Sequence, residues 1–112
     1  MNIKTNVTQE QVNKLAGRWV QLHRMATVAM KQADEQKWKR SYGMLDELRH
    51  TLNIIDRHLY EATKKEVYTR LVKEYGSAKE VENMSTEWTQ WRQKLTTKDW
   101  RKQMGFTEEA ER

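Results

Sequence analysis

From Val12 onward, apolar residues return at alternating steps of three and four: Val12, Leu15, Trp19, Leu22, Ala26, Ala29 and Ala33. That spacing lines one side of a helix, because a turn takes 3.6 residues. Thr8 and Gln11 stand just before it with the spacing of a capping box, in which each side chain reaches a free backbone N–H, so the first helix is predicted to open near Gln9. Asp34 is the expected cap of a second helix, whose stripe runs Trp38, Ser41, Leu45, Leu48, Leu52, Ile55, Leu59 and Ala62. Gly17 and Gly43 fall opposite these stripes, where each costs about 1 kcal/mol relative to alanine. An exposed helix surface tolerates such a cost, and close approach of another backbone would explain it.

Beyond Ala62 the phase changes, and Tyr68, Leu71 and Tyr75 define a new stripe with Val67 and Val72 beside it. Thr63 and Glu66 have capping spacing, but the lysines between them are good helix formers. The expectation over 35–75 is therefore one continuous or merely kinked helix. Gly76 supplies a stop and Ser77 with Glu80 a restart, predicting a third helix over about 78–95 along Val81, Met84, Trp88, Trp91 and Leu95. Ser85 and Thr86 are a competing start. A last short helix opened by Thr96 or Thr97 and closed by Gly105 carries Trp100 and Met104 on one side, to pack as a lid. The fold class that follows is all-α, an antiparallel helical bundle with two long helices and one or two shorter C-terminal helices. Residues 1–105 form a single domain, and 106–112 are an acidic tail expected to fray.

Composition agrees with this class. The 112 residues include no proline, the strongest helix interrupter, and no run alternates apolar and polar positions as a strand would. With 33% charged residues, no apolar stretch approaches the roughly 18–20 residues of a bilayer crossing. No cysteine is available for a disulfide, and the first residues lack a secretory pattern, so a cytoplasmic location is expected. The formal net charge of +5 divides as +4 over 1–33, +1 over 34–75, +2 over 76–105 and −2 over 106–112, so there is no basic arm. Along the chain the charge reads as a solvated, salt-bridged surface.

Candidate chemistry is sparse. Glu47 and His50 have the Glu-x-x-His spacing of carboxylate-bridged metal bundles, with Asp46 one turn before His50. Neither His23 nor His58 has an acid three residues earlier, and position 50 faces away from the stripe, so His50 reads as a surface residue and no metal is expected. Three serines, Ser41, Ser77 and Ser85, are explained by the stripe and by caps rather than by nucleophilic catalysis. Four scattered glycines build no phosphate loop. The expectation is a chain that is not an enzyme and needs no cofactor, with a small-nucleotide or metal-binding helical protein as the remote alternative.

The tryptophans stand out. Trp19, Trp38, Trp91 and Trp100 each adjoin a basic residue, as in Lys37-Trp38-Lys39-Arg40 and Trp100-Arg101-Lys102. Cations that neutralise phosphates beside rings that stack on bases would suit a single nucleic-acid strand, read through Lys37, Lys39, Arg40, Lys64, Lys65, Arg101 and Lys102. Trp19, Trp38, Trp88 and Trp91 also lie on the apolar stripes, where core packing accounts for them. Residues 97–107 resemble the first helix and turn of a helix-turn-helix module, with Trp100 and Met104 inward and Gly105 in the turn, but Arg101 stands where that module has a small residue. A capped terminal helix is the better reading.

Stripes of this length serve either a multi-helix core or another chain. Val20, Val28, Met30, Met44 and Ile54 widen the apolar arcs, and six Met with five Trp would make an adaptable contact surface. The reading taken is a non-enzymatic helical interaction protein, a regulator, inhibitor or adaptor of the kind common among phage and mobile-element accessory proteins. Its partner is expected to be a protein, with self-association and nucleic acid as alternatives and no membrane. The residues expected to carry binding are Trp38, Lys39, Arg40, Trp88, Trp91, Trp100, Arg101 and Lys102.

Overall fold

The computed structural model describes residues 7–105, which form four mutually packed helices and no strand: α1 (Gln9–Lys31), α2 (Glu35–Ile55), α3 (Arg57–Tyr75) and α4 (Ala78–Gln103). Residues 106–112, expected to fray, lie outside the described residues.

Local chemistry sets the helix ends. At the start of α1 the Thr8 hydroxyl accepts the Gln11 N–H at 3.1 Å while the Gln11 side-chain carbonyl accepts the Thr8 N–H at 2.9 Å, the expected capping box. The turn after α1 needs a left-handed residue, and Ala33 takes it at φ 55°, a conformation uncommon for a residue with a Cβ. That explains how the turn exists without a glycine, and it carries Ala33 off the stripe into solvent. Asp34 then caps α2, its carboxylate accepting the Lys37 N–H at 3.1 Å.

The expected continuous or kinked helix over 35–75 is two helices. Asp56 adopts extended geometry (φ −148°, ψ 93°); its N–H bonds to the Leu52 carbonyl at 2.9 Å and its carboxylate accepts the Leu59 N–H at 3.0 Å. One residue thus closes α2 and opens α3, because the short acidic side chain offers the backbone an alternative to the helical bond. Thr63 is no cap; it is completely buried within α3, in line with Val67 and Leu71. Tyr68, placed on the stripe by sequence spacing, is instead half exposed.

Gly76, at φ 101°, takes the left-handed C-cap of α3, and the Ser77 hydroxyl accepts the Glu80 N–H at 3.2 Å to open α4. The box is half of the expected one, since the Glu80 carboxylate accepts instead from Asn83. α4 then continues for 26 residues through Ser85, Thr86, Thr96 and Thr97. Ser85 is therefore not a cap, and the separate short terminal helix is simply the end of α4. The hydroxyls of Thr86 and Thr89 donate to the carbonyls one turn back, so they sit inside the helix without competing with it. Trp100 and Met104 are 53% and 60% exposed and form no lid.

α1 is the central element, packing on α2, α3 and α4. Ala16, Ala26 and Ala29 are completely buried, and small residues at these contacts let neighbouring helices come close. Around them the core joins Trp19, Val20, Leu22 and Met30 with Trp38 and Leu45, Val67 and Leu71, and Met84, Trp88 and Leu95. Of the residues that widen the apolar arcs, Val20 and Met30 are buried and Met44 half-buried, while Val28 and Ile54 face solvent. Gly17 has the Arg70 guanidinium 3.7 Å from where a Cβ would stand, whereas a Cβ on Gly43 would meet nothing within 4 Å.

Candidate functional site

The tryptophans that α2 and α4 contribute build an internal junction. Trp38 stacks on Tyr42 at 5.2 Å between ring centroids and meets Trp88 edge-on at 4.8 Å and Trp91 edge-on at 6.3 Å. The guanidinium carbons of Arg92 and Arg49 lie 5.0 and 5.7 Å from the Tyr42 ring centre, adding cation–π contacts to its outer surface. Two ion pairs extend the junction along the same helices, Lys39 with Asp99 at 3.1 Å and Lys98 with Glu35.

Sequence reasoning singled out eight residues, and the structure divides them. Trp38 and Trp88 are only 3% and 8% exposed, so in this conformation their rings face the core rather than a partner. Trp91 is half-buried, and its indole N–H is buried without a hydrogen-bond partner among the described residues. Lys39 is tied to Asp99, and Arg40 opens onto a groove between α1 and α2. Trp100, Arg101 and Lys102 stand exposed near the end of α4. The seven cations read as a nucleic-acid surface do not form one patch. Lys65 borders Thr8 and Val12 at the start of α1, while Lys39 and Arg40 border the groove beside Leu22, farther along α1.

The fold gathers charge that looked dispersed along the chain. The two ion pairs hold segment 31–40 against segment 94–102, and together these carry eight Lys/Arg and three Asp/Glu. Their sum of +5 equals the net charge of the whole protein. No local pattern shows this, since sixty residues separate the partners of the Lys39–Asp99 pair.

A polar cluster missed by sequence reasoning sits where α1, α3 and α4 meet. The His23 ring stacks on Trp88 at 4.6 Å and 14°, and its Nε2 lies 3.0 Å from the Tyr75 hydroxyl. Trp88 donates its indole N–H to the Thr27 hydroxyl at 3.0 Å, which donates in turn to the His23 carbonyl at 2.8 Å. Burial lowers the His23 pKa from 6.5 to about 4; Glu74 pulls it up, while Arg49 and Arg24 push it down. Burial likewise raises the Tyr75 pKa. Arg24 binds Glu74 at the edge of the cluster and holds that carboxylate below its usual range. These groups link α1, α3 and α4 through side-chain contacts. The signal that could have found it is a second stripe on α1, Ala16, Val20, His23, Thr27 and Met30, again in steps of four and three.

Among the described residues, no three His, Asp or Glu are grouped to hold a metal ion. Asp46 pairs with Arg49 at 3.6 Å, and His50 is exposed. Open grooves run between the described helices. One of about 700 Å³ between α1 and α2 has Leu22, Met44 and Leu48 along it and Arg18, Lys39, Arg40 and Glu47 around it. Another of about 440 Å³ runs along Gly17, Arg24, Arg70 and Glu74, and a third, about 390 Å³, lies between the start of α1 and α3. No described helix is long and apolar enough to cross a membrane. No protein-family model matches this chain, and neither curated proteins nor solved structures show a similar one.

Proposed function

We propose that the chain is a non-enzymatic helical interaction protein, a regulator, inhibitor or adaptor in the cytoplasm, built as an antiparallel bundle that presents helix faces to a protein partner. One observation carries the reading. Past Leu95, the last core residue of α4, the helix runs on for two more turns that expose Trp100 and Met104 beside Arg101 and Lys102. Large apolar and aromatic side chains next to cations are the composition of interface hot spots. None of the four belongs to the buried core. The test is capture from a cytoplasmic lysate with the intact chain and with Trp100→Ala, Met104→Ala and Lys102→Ala. The reading requires a defined protein that is lost in the variants while the helical circular-dichroism signal persists. Retention by all three variants refutes it.

A second reading, binding of a single nucleic-acid strand, draws support from the +5 held by segments 31–40 and 94–102. Phosphate neutralisation makes such binding fall steeply with salt. A labelled single-stranded oligonucleotide that binds at low salt and is released as salt rises favours this reading; failure to bind at low salt removes it.

A further inference from the structure

We infer that the face shared by α1 and α2 is the seat of an acidic amphipathic helix supplied by a partner protein. This rests on the reading of the chain as an interaction protein but concerns a different face from the end of α4. The groove of about 700 Å³ has an apolar floor of Leu22 from α1 and Met44 and Leu48 from α2. Met25, one turn past Leu22 on α1, is 42% exposed. From Lys39 to Thr51 the groove follows α2 for about 18 Å, the length of three helical turns. Unbranched thioethers fit themselves to apolar anchors spaced along one side of an incoming helix.

Gly43 lies in this groove, in the middle of α2. A glycine inside a helix is unfavourable relative to alanine, and no contact within the fold calls for one, since a Cβ there would meet open space. A bare backbone at that point lets a second helix axis approach to the near end of the usual 8–10 Å range. Around the floor stand Arg18, Arg40 and Lys39, the last paired with Asp99, against one acid, Glu47. Gln21 accepts from the Arg18 guanidinium at 3.1 Å, and Met44 Sδ lies 3.9 Å from it, which holds the charge beside the groove. Arg40 has no hydrogen bond or ion pair among the described residues. The charge complement of this rim is a set of carboxylates.

The same details weigh against other occupants. A nucleic-acid strand would find no aromatic ring in the groove on which to stack its bases. A second copy meeting the groove across a two-fold axis would set its own Arg18, Lys39 and Arg40 against these three.

The test pans the full chain against a display library of short amphipathic helical peptides of varied charge. Enriched peptides are expected to be acidic, with apolar residues at helical spacing. Their affinity is expected to fall roughly tenfold or more in Gly43→Gln and in Arg18→Gln with Arg40→Gln, while circular dichroism stays unchanged. Gly43→Gln adds a good helix former in open space, so it leaves the fold intact. Enrichment without acidic bias, or affinity indifferent to Gly43→Gln, overturns the proposal. So does light scattering that finds a dimer dispersed by Gly43→Gln, which assigns the groove to a second copy, or oligonucleotide binding lost in that variant. A lysate partner lost in Trp100→Ala but retained in Gly43→Gln, together with no peptide enrichment, sinks this inference and leaves the α4 reading standing.

Discussion

Protonating His23 should loosen the joint between α1, α3 and α4. In the folded chain the ring is wedged against Trp88 and hydrogen-bonded to Tyr75, and its pKa is lowered from 6.5 to about 4 by burial. The unfolded chain therefore takes up a proton as pH falls through 6.5, while the native chain resists until about pH 4. Stability is full above the unfolded pKa and is lost progressively between these two values. Linkage makes the loss about 2 kcal/mol between pH 7 and pH 5, approaching about 3 kcal/mol at the acid end of the window. That is a large part of the roughly 5–15 kcal/mol that holds a domain together. Glu74 adds nothing to the upper part of the window. Arg24 lowers its pKa below 4.5, so its share is lost only at pH values beneath that figure. Urea unfolding followed by circular dichroism at pH 7, 6 and 5 measures the slope, and His23→Gln, which cannot titrate, isolates it. The intact chain should lose stability over this range and the variant should stay nearly flat. A flat profile for the intact chain, or the same slope in His23→Gln, refutes the assignment.

Two further outcomes test the packing and the break. Thr63 is completely buried and its hydroxyl has no hydrogen-bond partner among the described residues. Thr63→Val keeps the shape and removes an unsatisfied polar group, so it should stabilise by about 1 kcal/mol, a midpoint rise of about 4 °C or more in a thermal melt. Asp56→Ala removes the acceptor for the Leu59 N–H and should cost about 1–2 kcal/mol in the same melt, with Asp56→Asn, which can still cap, recovering most of it.

What the sequence discloses and what it conceals divide along one physical line. Features decided within a few residues were legible: the Thr8–Gln11 box, the Asp34 cap and the Gly76–Ser77 junction each follow from a side chain reaching a backbone group one turn away. The Asp56 break is just as local, but the apolar steps through Ile55 and Leu59 run straight across it, and a periodic signal hid a capping one. The exposure of Ile55, at 75%, records the cost of that misreading. For Trp19 and Trp38 the apolar stripe, not the neighbouring cation, sets the side chain's surroundings. Consecutive helical residues point about 100° apart, so Arg18 can be exposed while Trp19 is buried, and adjacency in sequence does not by itself make a shared surface. Surfaces here arise where segments distant in sequence meet. Asp99 and Lys39 create the basic end, and Arg18 and Gly43 share a groove, from helices whose separate patterns show neither. This chain carries its fold in the spacing of its apolar residues, while its grooves arise from contacts between helices, so variants that change a groove without touching a stripe are the ones that would separate any binding from folding.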